Sequence, residues 1–319
     1  MVKKKNKDKS KVSIFLKEFI RIKDVIGWSL ISFVGFILGI TIFSFNNNLI
    51  PFLVFIISVL CLTSFTFTIN NFFDANSDRQ NPRRKNINAI ASGHISKKSG
   101  ILVILLLAII LLLISFFYRL EVFLFSGFLL FFGWSYSAPP LRLKGIPIMD
   151  VIWHFFGFFF GILWSSLIAG NIGLITWLVA FSLGIFSAVG QVCNHIIDYT
   201  FDKDSGTKTF AVWAGLDASC KTANALTFIH LIILISLFLL FSIRYHVTIG
   251  IVIIFVILGF ILLRPKKGNF PTRRCYTFYF NIVLGGGVYF SCMVYQVLYL
   301  IGTPTLGLLS FIRILKFFL

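Results

Sequence analysis

Nine long apolar runs mark out the chain, at about 27–46, 50–69, 100–118, 121–137, 150–168, 173–193, 222–243, 247–263 and 277–301. Each is near the roughly 20 residues a helix needs to cross a bilayer, where the backbone must satisfy its own hydrogen bonds. Short polar stretches separate them. The pattern predicts an all-α, polytopic membrane protein with about nine transmembrane helices. The C-terminal stretch LGLLSFIRILKFFL is short and amphipathic, and is expected to lie at the interface rather than span. The N-terminal stretch MVKKKNKDKSKVSIFLKEF is basic and lacks a clean apolar run and a small-residue cleavage site, so it reads as a cytoplasmic tail rather than a signal peptide. The expected organisation is a tail over 1–24, a membrane domain over 25–301 and an amphipathic segment over 302–319.

Composition sharpens this picture. Of 319 residues, 58% are hydrophobic and 13% charged, too few charges to cover a soluble protein of this size. A net charge of +18 would suggest nucleic acid in a soluble protein, but the placement of the charge excludes that partner. Nine Lys and Arg precede residue 25, six lie in 71–98, two in 138–148, three in 198–221 and five in 264–274, whereas the alternate loops hold only Arg119 and Arg244. The positive-inside rule then puts the N-terminus and the basic loops in the cytoplasm. The expected location is a prokaryotic cell membrane, with lipid as a partner and no obligate protein partner evident. The five cysteines have no paired spacing and read as reduced core residues.

The acidic residues carry the candidate chemistry. Asn70, Asp74 and Asp78 follow an apolar run at a spacing of four, which places them on one face if the helix continues past the membrane boundary. Two carboxylates on one stripe repel unless a cation sits between them. A hard divalent ion is the natural partner, because Mg²⁺ takes oxygen ligands and prefers one or two carboxylates plus phosphate. Asn194, Asp198 and Asp202 repeat the pattern about 125 residues later. One such stretch is ordinary helix-end chemistry. Two matched stretches suggest carboxylate clusters that face a shared cavity and clamp a diphosphate through Mg²⁺. Nearby cations and the turns SGHIS and DSGTKT could hold phosphate oxygens. Tyr136 lies at the end of the fourth run, where Pro139-Pro140 stops it, with Arg142 and Lys144 just beyond. His94, His154 and His195 have no assigned role, and His195 reads as an interfacial histidine. A transporter would place ionisable residues near mid-membrane along a pathway; the sequence shows essentially none.

Three ordered pieces, NNFFDANSD, YSAPPLRLK and DYTFDKDSGTKTFAVWAG, together resemble the UbiA superfamily of intramembrane prenyltransferases. They match its NxxxDxxxD motif, its Tyr-containing loop after the fourth helix and its DxxxDxxxGxxT motif, and the resemblance runs from about residue 25 to 301. It implies a UbiA-type bundle around a central cavity open to the cytoplasmic side. It implies Mg²⁺-dependent transfer of a prenyl group from an allylic prenyl diphosphate to an acceptor: an aromatic or quinone precursor, a pigment or a glycerophosphate lipid. The alternative is a UbiA-type terpene cyclase with the same ionising site. By this resemblance Asn70, Asp74, Asp78, Asp198 and Asp202 are metal ligands. Lys144, Lys208, Asn194 and the Arg83, Arg84, Lys85 cluster bind the diphosphate. Asp198, Tyr136 and Tyr199 are the catalytic candidates: Tyr136, with Phe72 or Phe73, to offer a π face to an allylic cation, and Asp198 or Tyr199 to take the acceptor's proton. Departures concern Asn71, where many members have Asp, Asn88-Ala89, where many have Arg-Pro, and an absent Arg-Thr after the first motif. They leave the metal ligands intact and bear on the acceptor.

Overall fold

A computed structural model describes residues 11–42, 44–80, 85, 87–241, 246–262 and 276–301. Nine long helices occur among them: α1 (Ile22–Gly39), α2 (Phe45–Gln80), α3 (Lys97–Tyr118), α4 (Leu120–Ser137), α5 (Pro147–Ala169), α6 (Leu174–Ile197), α7 (Leu216–Leu240), α8 (His246–Leu262) and α9 (Tyr276–Leu300). No strand occurs among the described residues. Eight of the nine are long and apolar enough to cross a membrane, and α8 carries the shorter apolar stretch Val247–Leu258. The order matches the nine apolar runs. The ends differ because helical hydrogen bonds are internal and do not stop where polarity begins. Thus α2 runs to Gln80, well past the apolar run that closes at 69. The expected amphipathic segment 302–319 lies outside the described residues.

The chain divides into two compact units, Met1–Leu30 with Ile56–Arg142, and Ile31–Phe55 with Leu143–Leu319. In the first, α3 and α4 form a hairpin joined by the single extended residue Arg119. Ser115 and Ser126 hydrogen bond across it at 2.9 Å. Leu102, Leu105, Leu106, Ile109 and Leu113 of α3 are exposed while Ile104, Leu111 and Ser115 are buried. An apolar stripe turned outward is what a lipid solvent permits. A second core gathers Phe19, Ile20, Val25, Ala75, Ala89 and Ile90. It packs the segment Phe15–Phe19 onto the polar end of α2, and Phe19 is fully buried.

In the second unit α6 packs against both α5 and α7, and its Ile185, Val189, Val192 and Cys193 share a core with Ala211, Cys220 and Ala223. Gly35 and Gly39 of α1 let that helix's backbone touch α5: a Cβ on them would fall 2.4 Å from Ile162 O and 2.2 Å from Ser166 O. Small residues at such a spacing drive close helix contact in membranes. Cys61, Cys193, Cys220 and Cys292 are buried free thiols, as expected, and Cys275 lies outside the described residues. One expectation needs correction. His230, near the middle of α7, is fully buried, and its Nε2 lies 2.7 Å from Tyr289 Oη, which also meets Ser182 Oγ at 2.8 Å. An ionisable side chain therefore does sit mid-helix. The hydrogen bond of one ring nitrogen to the Tyr289 hydroxyl offsets part of the cost of burying it there.

Candidate active site

The 36 residues of α2 extend about 54 Å at 1.5 Å per residue, against a hydrocarbon core of ~30 Å. Its last turns therefore emerge from the apolar slab, and they carry the first Asn–Asp–Asp set. Asp74 and Asp78 are both buried, at 8% exposure each, and Asn70 is half-buried. Buried carboxylates need partners. Asp74 Oδ1 faces Arg142 Nη2 at 3.5 Å. Arg142 stands in the left-handed backbone region with φ 37°, a strained conformation for a non-glycine residue and one concentrated at functional sites. Asp78 Oδ2 accepts a hydrogen bond from Asn88 Nδ2 at 2.9 Å. Asn71 has a structural place: its Nδ2 donates to the carbonyls of Glu18 and Phe19 at 3.1 and 2.9 Å. The buried Glu18 carboxylate lies 3.0 Å from His94 Nδ1, which gives that histidine a partner.

The second set follows α6. Asp198 caps the helix and the short helix Tyr199–Asp204 continues its path. The bonds Asp198 N to Asn194 O (3.0 Å) and Asp202 N to Asp198 O (2.9 Å) carry the four-residue spacing through the junction. Burial differs along the stripe: Asn194 and Asp198 are exposed and Asp202 is buried. The turn that follows folds back, with Thr207 N donating to Asp202 O at 2.8 Å and Gly206 at φ 73°, where glycine carries no Cβ penalty. Among the described residues, Asn70, Asn194 and Asp198 make no side-chain hydrogen bond or ion pair.

The remaining expected residues scatter in character. Tyr136 is half-buried in the last turn of α4, and Lys144 is half-buried in the turn Leu143–Gly145. Tyr199 is half-buried with Lys203 Nζ 5.8 Å from its ring centre, and Lys208 and Lys85 are exposed. Arg83 and Arg84 lie outside the described residues.

The donor set fits a divalent ion of the Mg²⁺ kind. All its members offer oxygen, with two carboxylates per stretch, and Asp74 and Asp78 are held by Arg142 and Asn88. Among the described residues no three His, Cys, Asp or Glu side chains converge as a ready-made cage. Mg²⁺ does not require one, since it completes its shell with water and phosphate oxygens.

Two features escaped the sequence reading. One is Arg142, passed over in favour of Lys144. The other is a polar cluster at the start of α5. Asp150 Oδ2 accepts from Gln191 Nε2 at 3.0 Å and lies 2.9 Å from His195 Nε2, while Oδ1 is 3.3 Å from His154 Nδ1. Asp150 and His195 are buried, at 4% and 5% exposure. His195 is thus a partnered interior residue that ties α6 to α5, not an idle interfacial one. The signal was present as two four-residue spacings, Asp150 to His154 and Gln191 to His195, on otherwise apolar helices.

Comparison with known proteins bears on this arrangement. The sequence model of the UbiA prenyltransferase family matches residues 29–285. No curated protein sequence matches the chain. Solved structures do. A UbiA homologue from Archaeoglobus fulgidus bound to GPP and Mg²⁺ is 22% identical, over 91% of this chain and 99% of that one, with a TM-score of 0.65. A structure described for digeranylgeranylglyceryl phosphate synthase in membranes is 21% identical over 90% and 99%, with a TM-score of 0.64. An apo UbiA homologue from Aeropyrum pernix K1 is 16% identical over 86% and 98%, also at 0.64. At these identities the likeness establishes the fold.

Proposed function

The chain belongs to the UbiA prenyltransferase family, and we propose that it transfers a prenyl group from an allylic prenyl diphosphate to an acceptor in the membrane, with Mg²⁺. The observation that carries the reading is the buried Asp74–Asp78 pair at the polar end of a membrane-length helix, with a strained arginine against it. Burying two acids on one face is costly without a cationic ligand. A metal-bound diphosphate supplies that ligand while its tail stays in apolar surroundings.

In this reading Asp74, Asp78, Asp198 and Asp202, with Asn70, are the ligands, and Mg²⁺ held by them would add positive charge to the leaving diphosphate. Arg142 and Lys144, joined by Asn194, Lys208 and the 83–85 cations, bind its remaining oxygens. Fixed positive charge helps most as the C–O electron pair moves onto the diphosphate, so it favours the transition state. Tyr136 and Phe72 or Phe73 face the allylic cation with their π systems. The acceptor's new bond to the prenyl carbon releases one proton, for which Asp198 and Tyr199 are the candidate acceptors. The archaeal structural neighbours bind GPP and DMAPP with Mg²⁺, and a digeranylgeranylglyceryl phosphate synthase is among the fold relatives. A glycerophosphate-lipid acceptor therefore heads the panel, before aromatic and pigment precursors. The site is expected to face the cytoplasm, by the distribution of Lys and Arg.

The test uses purified full-length protein in nanodiscs, Mg²⁺, radiolabelled prenyl diphosphates of several lengths, and glycerophosphate and phenolic acceptors. The expected result is Mg²⁺-dependent label in an acceptor adduct, lost in Asp74→Ala and Asp198→Ala. Label in a hydrocarbon without any acceptor would mean a cyclase. No turnover and no Mg²⁺-dependent binding at any chain length would overturn the reading.

A further inference from the structure

Asn88 is 1% exposed and spends every hydrogen-bonding group it has. Its Nδ2 donates to Asp78 Oδ2 at 2.9 Å and to Asn71 O at 2.8 Å. Its Oδ1 accepts from the backbone N–H groups of Ile90 and Ala91, at 3.1 and 3.2 Å. An asparagine offers two donors and two acceptor positions, so this side chain is saturated. It can take only one orientation: reversing the amide would set its oxygen against Asp78 and the Asn71 carbonyl, and its NH₂ against two N–H donors.

The consequence falls on Asp78. That carboxylate stands in the last turn of α2, which ends at Gln80. The Asn88 bond fixes one oxygen from a neighbouring turn that is itself anchored: Ala89 and Ile90 lie in the core with Phe19 and Ala75, and Ala89 N donates to Glu18 O at 3.3 Å. The bond comes from a neutral group, so it orients the carboxylate without adding charge. Asp74, one turn earlier on the same helix, faces a guanidinium, that of Arg142. Groups that hold a ligating carboxylate from behind typically govern metal affinity by ten- to a hundredfold.

We infer that Asn88 is a positioning residue for the divalent cation, holding the Asp78 carboxylate in its ligating orientation. This rests on the reading of Asp78 as a metal ligand. Three variants separate the inference from that reading and from simple loss of packing. Asn88→Ser keeps an oxygen able to accept from the Ile90 or Ala91 N–H but is too short to reach Asp78. Asn88→Ala removes both. Asn71→Ala cuts the bonds to the Glu18 and Phe19 carbonyls in the same neighbourhood and leaves Asp78 its partner.

The direct readout is Mn²⁺ binding to the full-length protein with inorganic diphosphate, followed by the electron paramagnetic resonance signal of free Mn²⁺, alongside thermal unfolding of each variant. Asn88→Ser and Asn88→Ala should each weaken Mn²⁺ by tenfold or more. Asn71→Ala should lower the unfolding temperature with Mn²⁺ affinity held within twofold. In turnover, Asn88→Ser should raise the Mg²⁺ concentration for half-maximal rate by a similar factor and recover most of kcat at saturating Mg²⁺. Mn²⁺ affinity within twofold of the parent in Asn88→Ser, or equal losses in Asn88→Ser and Asn71→Ala, would overturn the inference. An Asp78→Ala variant that binds Mn²⁺ as the parent does would instead remove the metal reading beneath it.

Discussion

Gly39→Ala should destabilise the protein by about 2–3 kcal/mol, although it adds one methyl group and improves helix propensity. The new Cβ would stand 2.2 Å from Ser166 O and 2.7 Å from Ser166 C and Cα. Ordinary carbon contacts lie near ~3.5 Å, so α1 and α5 would have to part by roughly 1 Å. That gap forfeits about a quarter to a half of the dispersion well along the seam, and overpacking of this kind costs about 1–3 kcal/mol. Neighbouring contacts would be lost with it: Ile40 bridges Gly170, and its carbonyl accepts from Gln296 Nε2 at 3.0 Å. Gly27 of the same helix provides the control, because nothing lies within 4 Å of its added Cβ. There alanine should be neutral or stabilise by up to ~1 kcal/mol through helix propensity. Thermal unfolding in one detergent, followed by circular dichroism, reads both. At about 2 °C per kcal/mol for a chain of this size, Gly39→Ala should fall by ~4 °C or more while Gly27→Ala holds or rises. Equal shifts of the same sign would refute the close-approach argument.

Other expectations follow from the sites. Asp202→Asn, at a buried carboxylate with the four-residue spacing, should lower prenyl transfer by at least ~100-fold with helix content unchanged by circular dichroism; retention of more than a tenth of the activity would remove Asp202 from the ligand set. Asp150→Leu strands His195 and Gln191 in an apolar interior, and chemical denaturation should show a loss of about 3 kcal/mol or more. Tyr289→Phe removes the hydroxyl shared by Ser182 and His230, and should cost ~1–2 kcal/mol of stability while the KM for prenyl diphosphate stays put; a large KM change would place that cluster in contact with substrate.

The long helices and the acid-bearing ends of α2 and α6 could be read before any coordinates. The bilayer demands runs of about 20 apolar residues with internally paired backbone, and that demand is written residue by residue. The spacing of Asn70, Asp74 and Asp78 is likewise a local property, because a helix puts every fourth residue on one face. Burial was not local. Asn194, Asp198 and Asp202 share one spacing, yet only Asp202 is buried, and the backbone folds back onto it where Thr207 N meets its carbonyl.

What the sequence by itself determined, then, is where the chain crosses the membrane and which helix ends bring carboxylates. It did not determine who holds them. Arg142 reaches Asp74 from 68 residues away, Asn71 reaches the Phe19 carbonyl across 52, and Asp150 meets His195 across 45. Such partners share no periodicity with the residues they serve. A polar group excluded from water must find its hydrogen bond wherever the packed chain passes, so only the tertiary structure decided that Asn88 would hold Asp78 and that an α5 aspartate would bind an α6 histidine.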